Sequence, residues 1–449
     1  MARHTTTRRS PAPSAHPHSS LSRRHFLAGS GALGAGVLLG GSRLAGAGGL
    51  PARAPSGGRA LSAATGSLSI GSNYSDDVPK DAFQAVVDGF PNADVDISIN
   101  TVDHNSFQEN ITNYLQQPDD VMTWFAGYRL RYFAAQGLLS PISDVWEGVT
   151  NIGDNFKAAS TGDDGEQYLI PFYNYPWAVH YKPSVFEENG WAIPTTLEEL
   201  TALADEMQAG GVTPFSLGND GKWPAMGTFD ILNMRINGYQ FHVDLMAGNG
   251  DWTSDEVKTV FAEWEKLLPY HQSGANGRTW QEAAQSLKSG ETGMMLLGTF
   301  VSEQFVDDLD DLDFFPFPEV NADHGTDSID APIDGFMLAA DPDNEAAAKE
   351  FLAYLATGEA QITFLTANPG SVAVADDADT SGYTALQQKS AELIAGTANI
   401  AQFLDRDTNP EFASNVMGDA LADFIADPGS IDSILSDVEE RKGVIFADG

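Results

Sequence analysis

Between residues 67 and 125 the hydrophobic pattern keeps changing period, and that alternation limits the possible folds more than any other feature of the chain. Leu68-Ser69-Ile70 reads as a strand, and Phe83, Val86, Val87 and Phe90 then fall at the i, i+3, i+4 and i+7 positions of a helix. Val95, Ile97 and Ile99 return to period two, residues 107–116 are helical again, and residues 120–125 read as a buried strand. Strand, helix, strand, helix, strand argues an α/β fold, because parallel strands need a long crossover and helices supply it. Ligands of such sheets bind beyond the carboxyl ends of the strands. Here those ends are Asn73-Tyr74 and the run Thr123-Trp124-Phe125-Ala126-Gly127.

The next informative stretch is residues 168–190, YLIPFYNYPWAVHYKPSVFEENG. Pro171 and Pro176 forbid a continuous helix, while Ala178-Val179-His180-Tyr181 reads as a short strand. The spacing predicts a hinge crossing, with Phe172, Tyr173, Tyr175, Trp177 and Tyr181 where the chain changes course. An aromatic cluster that only fills core is the competing reading of the same residues.

Farther on, Thr196 and Glu199 are expected to cap a helix carrying Leu197, Leu200, Leu203 and Met207. Thr253 and Glu256 are expected to cap a second, with Val257, Val260, Phe261, Trp264, Leu267 and Leu268 on one face. Residues 218–250 between them read as loop-rich and hold Trp223, Phe229, Asp230, Arg235 and Tyr239. Residues 281–300 read as a helix, a stop at Gly290 and an apolar strand ending at Gly298-Thr299-Phe300. Asp334-Gly335-Phe336, a helix over 344–356, a break at Asn368-Pro369-Gly370 and acidic helical segments complete the chain.

Charge excludes several function classes. Residues 1–60 hold eight of the 24 bases and none of the 63 acids, so a total of −39 becomes about −47 for the remainder. Such a surface repels phosphate backbones and anionic lipid, which argues against nucleic acid or a peripheral membrane site as partner. The absence of cysteine removes disulfides, thiol nucleophiles and thiolate metal sites. No HExxH or GxSxG pattern occurs, and no cofactor or metal is expected.

The amino-terminal region carries its own instruction. Ser22-Arg23-Arg24-His25-Phe26-Leu27 looks like a twin-arginine export signal, followed by an apolar run over 27–39 too short to span a bilayer. Twin-arginine export carries folded chains, so folding in the cytoplasm and work outside the membrane are expected. Leu44-Ala45-Gly46-Ala47-Gly48-Gly49 resembles a lipoprotein box with Ala47 where the lipidated cysteine belongs. Residues 1–47 are thus read as the signal and 48–66 as a flexible tether.

Residues 282–300, EAAQSLKSGETGMMLLGTF, resemble the maltose-binding protein branch of the ABC-transporter solute-binding proteins (family 1). Residues 120–142, the 168–190 stretch with Tyr181-Lys182, residues 194–200 and residues 351–361 resemble the same family in the same order. The resemblance implies a two-lobed periplasmic-binding-protein-like fold with a hinge and a ligand cleft between the lobes. It puts 67–176 plus 317–365 in the first lobe and 177–316 plus 366–449 in the second. It also implies an extracellular or cell-surface monomer that captures an oligosaccharide or disaccharide, delivers it to membrane permease subunits, and catalyses nothing. Alternatives are a polyol or other neutral solute and, against the two-lobed order, a secreted glycoside hydrolase.

By the same resemblance a stacking tryptophan falls on Phe125, with Trp124 beside it, and a hydroxyl-binding arginine on Arg129. The preceding aspartate is replaced by Tyr128, a cleft glutamate falls near Asn174, and a later tryptophan falls on Phe300. Asp405-Arg406-Asp407 occupies the region of the last one. Sugars present apolar C–H faces and hydroxyl rims, so a cleft for them needs flat rings beside planar donors and acceptors. The expected ligand-binding set is Asn73, Trp124, Phe125, Arg129, Asn174, Trp177, Trp223, Asp230, Phe300, Asp334 and Arg406.

Overall fold

A computed structural model describes residues 64–447. The export signal, Ala47 and all but the last three residues of the expected tether lie outside the described residues. The fold is mixed α/β, with strands β1 (Gly66–Ser72), β2 (Val95–Thr101), β3 (Val121–Phe125), β4 (Leu169–Asn174), β5 (Trp177–Tyr181) and β6 (Thr213–Ser216), then β7 (Thr292–Gly298), β8 (Asp313–Phe315), β9 (Ser328–Asp330), β10 (Ile333–Leu338), β11 (Val372–Ala373) and β12 (Asn399–Ala401). Two main sheets result. One has six strands in the order β11-β4-β10-β3-β1-β2, and the other has four in the order β6-β7-β5-β8. A short pair joins β12 to β9.

In the six-stranded sheet β1 runs parallel to both β2 and β3, as the alternating periods predict. The helices Asp77–Asp88 and His104–Tyr114 make the crossovers and bury Phe83, Val86, Phe107 and Ile111. β10 enters antiparallel between β3 and β4. Strands β3, β4, β5, β7 and β10 are buried at every position, which is why they read as apolar runs rather than alternating ones.

The crossing expected near Pro176 is present. The chain leaves the six-stranded sheet at Asn174, the end of β4, and enters the four-stranded sheet at Trp177, the start of β5. The Thr299 N–H donates to Pro176 O at 3.1 Å and its Oγ1 to Gly370 O at 2.6 Å, tying the crossing to two remote segments. The aromatic residues here serve both readings. Phe172 packs against Phe364 in the core, and Tyr173, stacked on Phe364 at 5.3 Å, reaches the cleft described below together with Tyr175 and Trp177.

Three local expectations need correction. Residues 218–250 are not loop-rich: they hold the helices Trp223–Asn237 and Tyr239–Met246. Every residue from Pro224 to Ile236 is buried, so no polar face produces a helical period, and Pro224 at the first turn fits a helix start. At the helix Leu197–Ala209 the Thr196 side chain accepts from the Glu199 N–H, but the Glu199 carboxylate returns to the N–H and hydroxyl of Thr195. At the helix Asp255–Leu267 the cap is Ser254, while Thr253 bonds to Asp251. A reciprocal capping box does form one helix later, between Thr279 and Glu282.

Candidate functional site

The carboxyl end of β1, the amino end of β10, the β4–β5 crossing, the end of β7 and the segment after β12 converge on one cleft of about 780 Å³, a figure that includes space open to solvent. One wall is aromatic. Trp177 lies against Phe403 with ring centroids 4.8 Å apart and planes 21° apart. Phe300 meets Tyr175 at 5.3 Å and Trp280 at 5.2 Å, each nearly perpendicular, and Trp223 packs edge-on to Trp177 at 6.3 Å.

A second wall, joined to the first at Tyr175, is polar. Arg406 donates from Nη1 to Asp334 Oδ1 and from Nη2 to Tyr175 Oη, both at 3.0 Å. Its guanidinium carbon sits 4.4 Å from the Phe125 ring centroid, a cation–π contact on a desolvated face. Burial works against charge on Arg406, but Asp334, Tyr175 and Asp405 together hold it more firmly protonated than usual. Burial raises the Asp334 carboxyl, and Arg406 pulls it back. The Asn73 backbone N–H donates to Thr123 Oγ1, and its Nδ2 lies 3.2 Å from His104 Nδ1, leaving its buried Oδ1 without a partner among the described residues. Burial and the charge of Arg406 press His104 down to about 4, so the ring is neutral.

Two further carboxylates face in. Gln281 Nε2 donates to both oxygens of Asp76, at 3.2 and 3.3 Å. Half-buried Glu303 accepts from Asn368 Nδ2 at 3.2 Å. Burial, with Asp76 adding repulsion, pushes Glu303 up to about 8. The Gln281–Asp76 bonds and a 3.1 Å bond from Trp223 Nε1 to Asn105 Oδ1 link elements on the four-stranded side to elements on the six-stranded side.

Of the expected set, Asn73, Trp177, Trp223, Phe300, Asp334 and Arg406 line this cleft. The rest of the expected set does not line it, although Arg129 borders an adjoining pocket that shares Gln108, Trp223 and Asp405 with the cleft. Trp124 and Phe125 are buried and stacked on each other at 4.2 Å, with Arg129 5.0 Å from the Trp124 ring and Arg406 4.4 Å from the Phe125 ring. Arg129, pressed down to about 10 by burial, donates to Asp405 O and to the Gln108 backbone and side chain. Asn174 is buried in β4, in register with Ile333 and Val372. Asp230 is fully buried and accepts the Leu404 N–H at 2.8 Å. These residues position the cleft wall: Arg129 and Asp230 each hold the segment that carries Arg406.

Gly127 contributes by lacking a side chain. Its φ of 118° and the approach of Arg406 O to 2.7 Å of where a Cβ would stand leave no room for one. Sequence reasoning missed Asp76, His104, Gln108, Trp280, Glu303, Asn368 and Phe403. Asp76 lies just past a flagged strand end and Phe403 just before Asp405-Arg406, so only proximity could have flagged them. The others sit on helices or turns whose periodicity says nothing about a cleft.

Residues 76–362 match the profile of the family described as bacterial extracellular solute-binding protein. Residues 20–40 match the twin-arginine translocation pathway signal sequence, so the chain carries an export signal of that route. An uncharacterized ABC transporter extracellular-binding protein of Pyrococcus horikoshii is 27% identical over 291 residues, 61% of this chain and 62% of that one. A probable sugar-binding periplasmic protein of Mesorhizobium japonicum is 26% identical over 187 residues, 40% of this chain and 44% of that one. The chain thus matches less than two thirds of the length of these curated relatives.

Among solved structures, the bacterial solute receptor AcbH, described as having an exclusive substrate preference for β-D-galactopyranose, is 45% identical with a TM-score of 0.83. That match covers 85% of this chain and all of that one. A chitin oligosaccharide binding protein at 20% identity and a TM-score of 0.76, over 85% of this chain and 99% of that one, shares the two-lobed fold alone. With most of its described length inside the family profile and its cleft where the strand ends converge, the chain belongs to the bacterial extracellular solute-binding proteins.

Proposed function

We propose that the exported protein is the substrate-binding component of an ABC importer for carbohydrate, working as a monomer and handing its ligand to membrane permease subunits. The observation that carries this reading is the pairing of a wall of flat rings, Trp177, Phe300, Trp223 and Trp280, with a wall of planar donors and acceptors, Asn73, Asp334 and Arg406. A pyranose needs both at once: rings for its C–H faces, and carboxylate, amide and guanidinium groups for its hydroxyl rim. The preference described for AcbH supports a single pyranose of the galactose kind as first candidate, ahead of a longer saccharide.

The six-stranded and four-stranded sheets are proposed as the cores of the two lobes, with β11 carrying the first lobe to Ala373 and Tyr175-Pro176 as one hinge crossing. Capture needs no chemistry. Ligand that touches both walls favours the arrangement in which the walls are close, and the permease reads that arrangement; the shift is limited by the difference in ligand affinity between the two states.

Calorimetric titration and thermal shift against galactose, glucose, di- and oligosaccharides and polyols test the reading, since a ligand of the native state alone raises its melting temperature. A saturable response to one saccharide class supports it. Turnover of a glycoside, or no response from well-folded protein to any sugar, overturns it.

A further inference from the structure

Behind the cleft, Asp230 on the helix Trp223–Asn237, His242 on the helix Tyr239–Met246 and Asp330 at the end of β9 each turn a donor atom toward a common point. These atoms lie within 4.8 Å of one another. All three side chains are buried, Asp230 and Asp330 at 0% exposure and His242 at 1%. Asp230 Oδ1, His242 Nε2 and both oxygens of Asp330 have no hydrogen-bond partner among the described residues. Native interiors rarely leave one such atom unpaired. Burying two carboxylates without a counter-charge costs far more than a surface pair could return.

Arg235, whose charge acts on Asp330 together with that of Arg406, does not close this account. Its Nε and Nη1 donate to the carbonyls of Phe317 and Ser328. Burial raises the Asp330 carboxyl well above its ordinary range, and the charges of Arg235 and Arg406 oppose this from nearby without a bond to it. One carboxylate remains uncompensated, beside an imidazole nitrogen that faces it at 4.0 Å.

We propose that Asp230, His242 and Asp330 bind a divalent transition-metal ion of the zinc or manganese kind. Two carboxylates with one imidazole and no thiolate suit these borderline ions. Calcium prefers a larger, all-oxygen shell. Coordination through Nε2 requires the proton on Nδ1, which lies 3.1 Å from the Asn233 side-chain amide. The oxygen and nitrogen of an amide exchange places by a half turn. In the metal-bound form Asn233 accepts from Nδ1–H, the outer-shell bond that orients ligating histidines. Asn237 Nδ2, which donates to Asn233 Oδ1 at 2.9 Å and to Glu256 O at 3.1 Å, gives up the first of these bonds in that form and keeps the second.

Two consequences follow. A site this buried is filled as the chain folds, which fits an export signal of the route that carries folded proteins. The ion also fixes Asp230, whose Oδ2 accepts the Leu404 N–H at 2.8 Å, so it steadies from behind the segment that presents Asp405 and Arg406 to the cleft.

The rival occupant is a proton shared by the two carboxylates. To separate them, the exported protein is purified without chelator and its metals are quantified by mass spectrometry. It is then stripped and re-loaded with Zn²⁺, Mn²⁺, Mg²⁺ or Ca²⁺. The expected result is about one equivalent of a transition ion in the wild type and less than about a tenth in Asp330→Asn, with zinc or manganese raising the melting temperature of the stripped wild type but not of the variant. Less than about a tenth of an equivalent in the wild type, both as isolated and after re-loading, overturns the proposal in favour of the shared proton. Equal metal retention by wild type and variant overturns it in favour of sites elsewhere. Should Asp330→Asn not fold, His242→Gln takes its place, and the wild-type metal content decides the matter by itself.

Discussion

Arg406 Nη1 lies 3.0 Å from Asp334 Oδ1, with the two side chains only 7% and 12% exposed. The pair joins β10, in the six-stranded sheet, to the segment that follows β12. It therefore holds the polar wall of the cleft to the sheet beneath it. Removing one partner of a buried pair strands the other, so Asp334→Ala is expected to cost about 3–5 kcal/mol in urea denaturation. Asp334→Ala combined with Arg406→Met should cost clearly less than Asp334→Ala alone. A single variant within about 1 kcal/mol of wild type would mean that solvent already screens the pair.

Phe300 and Trp177 belong to one aromatic wall but differ in burial, and the difference separates affinity from stability. Phe300 is half-buried, whereas Trp177 is 2% exposed and stacked on Phe403. Phe300→Ala is expected to weaken sugar binding about 3- to 10-fold with little loss of stability, from the contribution of one aromatic face. Trp177→Ala should weaken binding and also destabilise by about 3–5 kcal/mol. Titration calorimetry beside thermal melts gives both numbers; unchanged affinity in both variants would move the ligand away from this wall.

Gly227 lets the helix Trp223–Asn237 rest against the ring of Trp177. A Cβ there would stand 2.3 to 2.7 Å from three ring carbons. Gly227→Ala should therefore displace the ring, destabilise by about 1–3 kcal/mol and lower sugar affinity, although alanine is the better helix former. An alanine variant as stable as wild type, with its affinity intact, would show that the ring moves aside freely.

Glu303 predicts a pH dependence of definite sign. Its carboxyl is raised by burial and by Asp76 from 4.5 to about 8. The folded state therefore binds the proton more tightly than the unfolded one, and stability is lost as pH rises through about 4.5 to 8. His104, lowered by burial to about 4, acts oppositely, contributing stability that is lost as pH falls below 6.5. Between pH 6.5 and 8 the Glu303 effect stands apart from it and amounts to about 1–2 kcal/mol. Melting temperatures across that range should fall for wild type and stay flatter for Glu303→Gln; parallel curves would place the carboxylate in solvent.

The strands and crossovers of residues 66–125 were legible because each buries one face or both, and burial writes a period into the chain. The crossing at Pro176 was legible for a different local reason: two prolines exclude a helix there. The helix Trp223–Asn237 was not, because burial on all sides erases the polar half of the pattern.

The same limit explains the site. Composition and local order determined an α/β chain with an export signal, no thiol chemistry and aromatic residues gathered at strand ends. Whether a particular aromatic or charged side chain meets ligand or supports one that does depends on which face packs against which. Phe125 lies under Arg406 because the chain returns over it some 280 residues later, with Gly127 leaving room for the Arg406 backbone. Contacts between residues so far apart in sequence leave no local period, so only the tertiary structure could decide them.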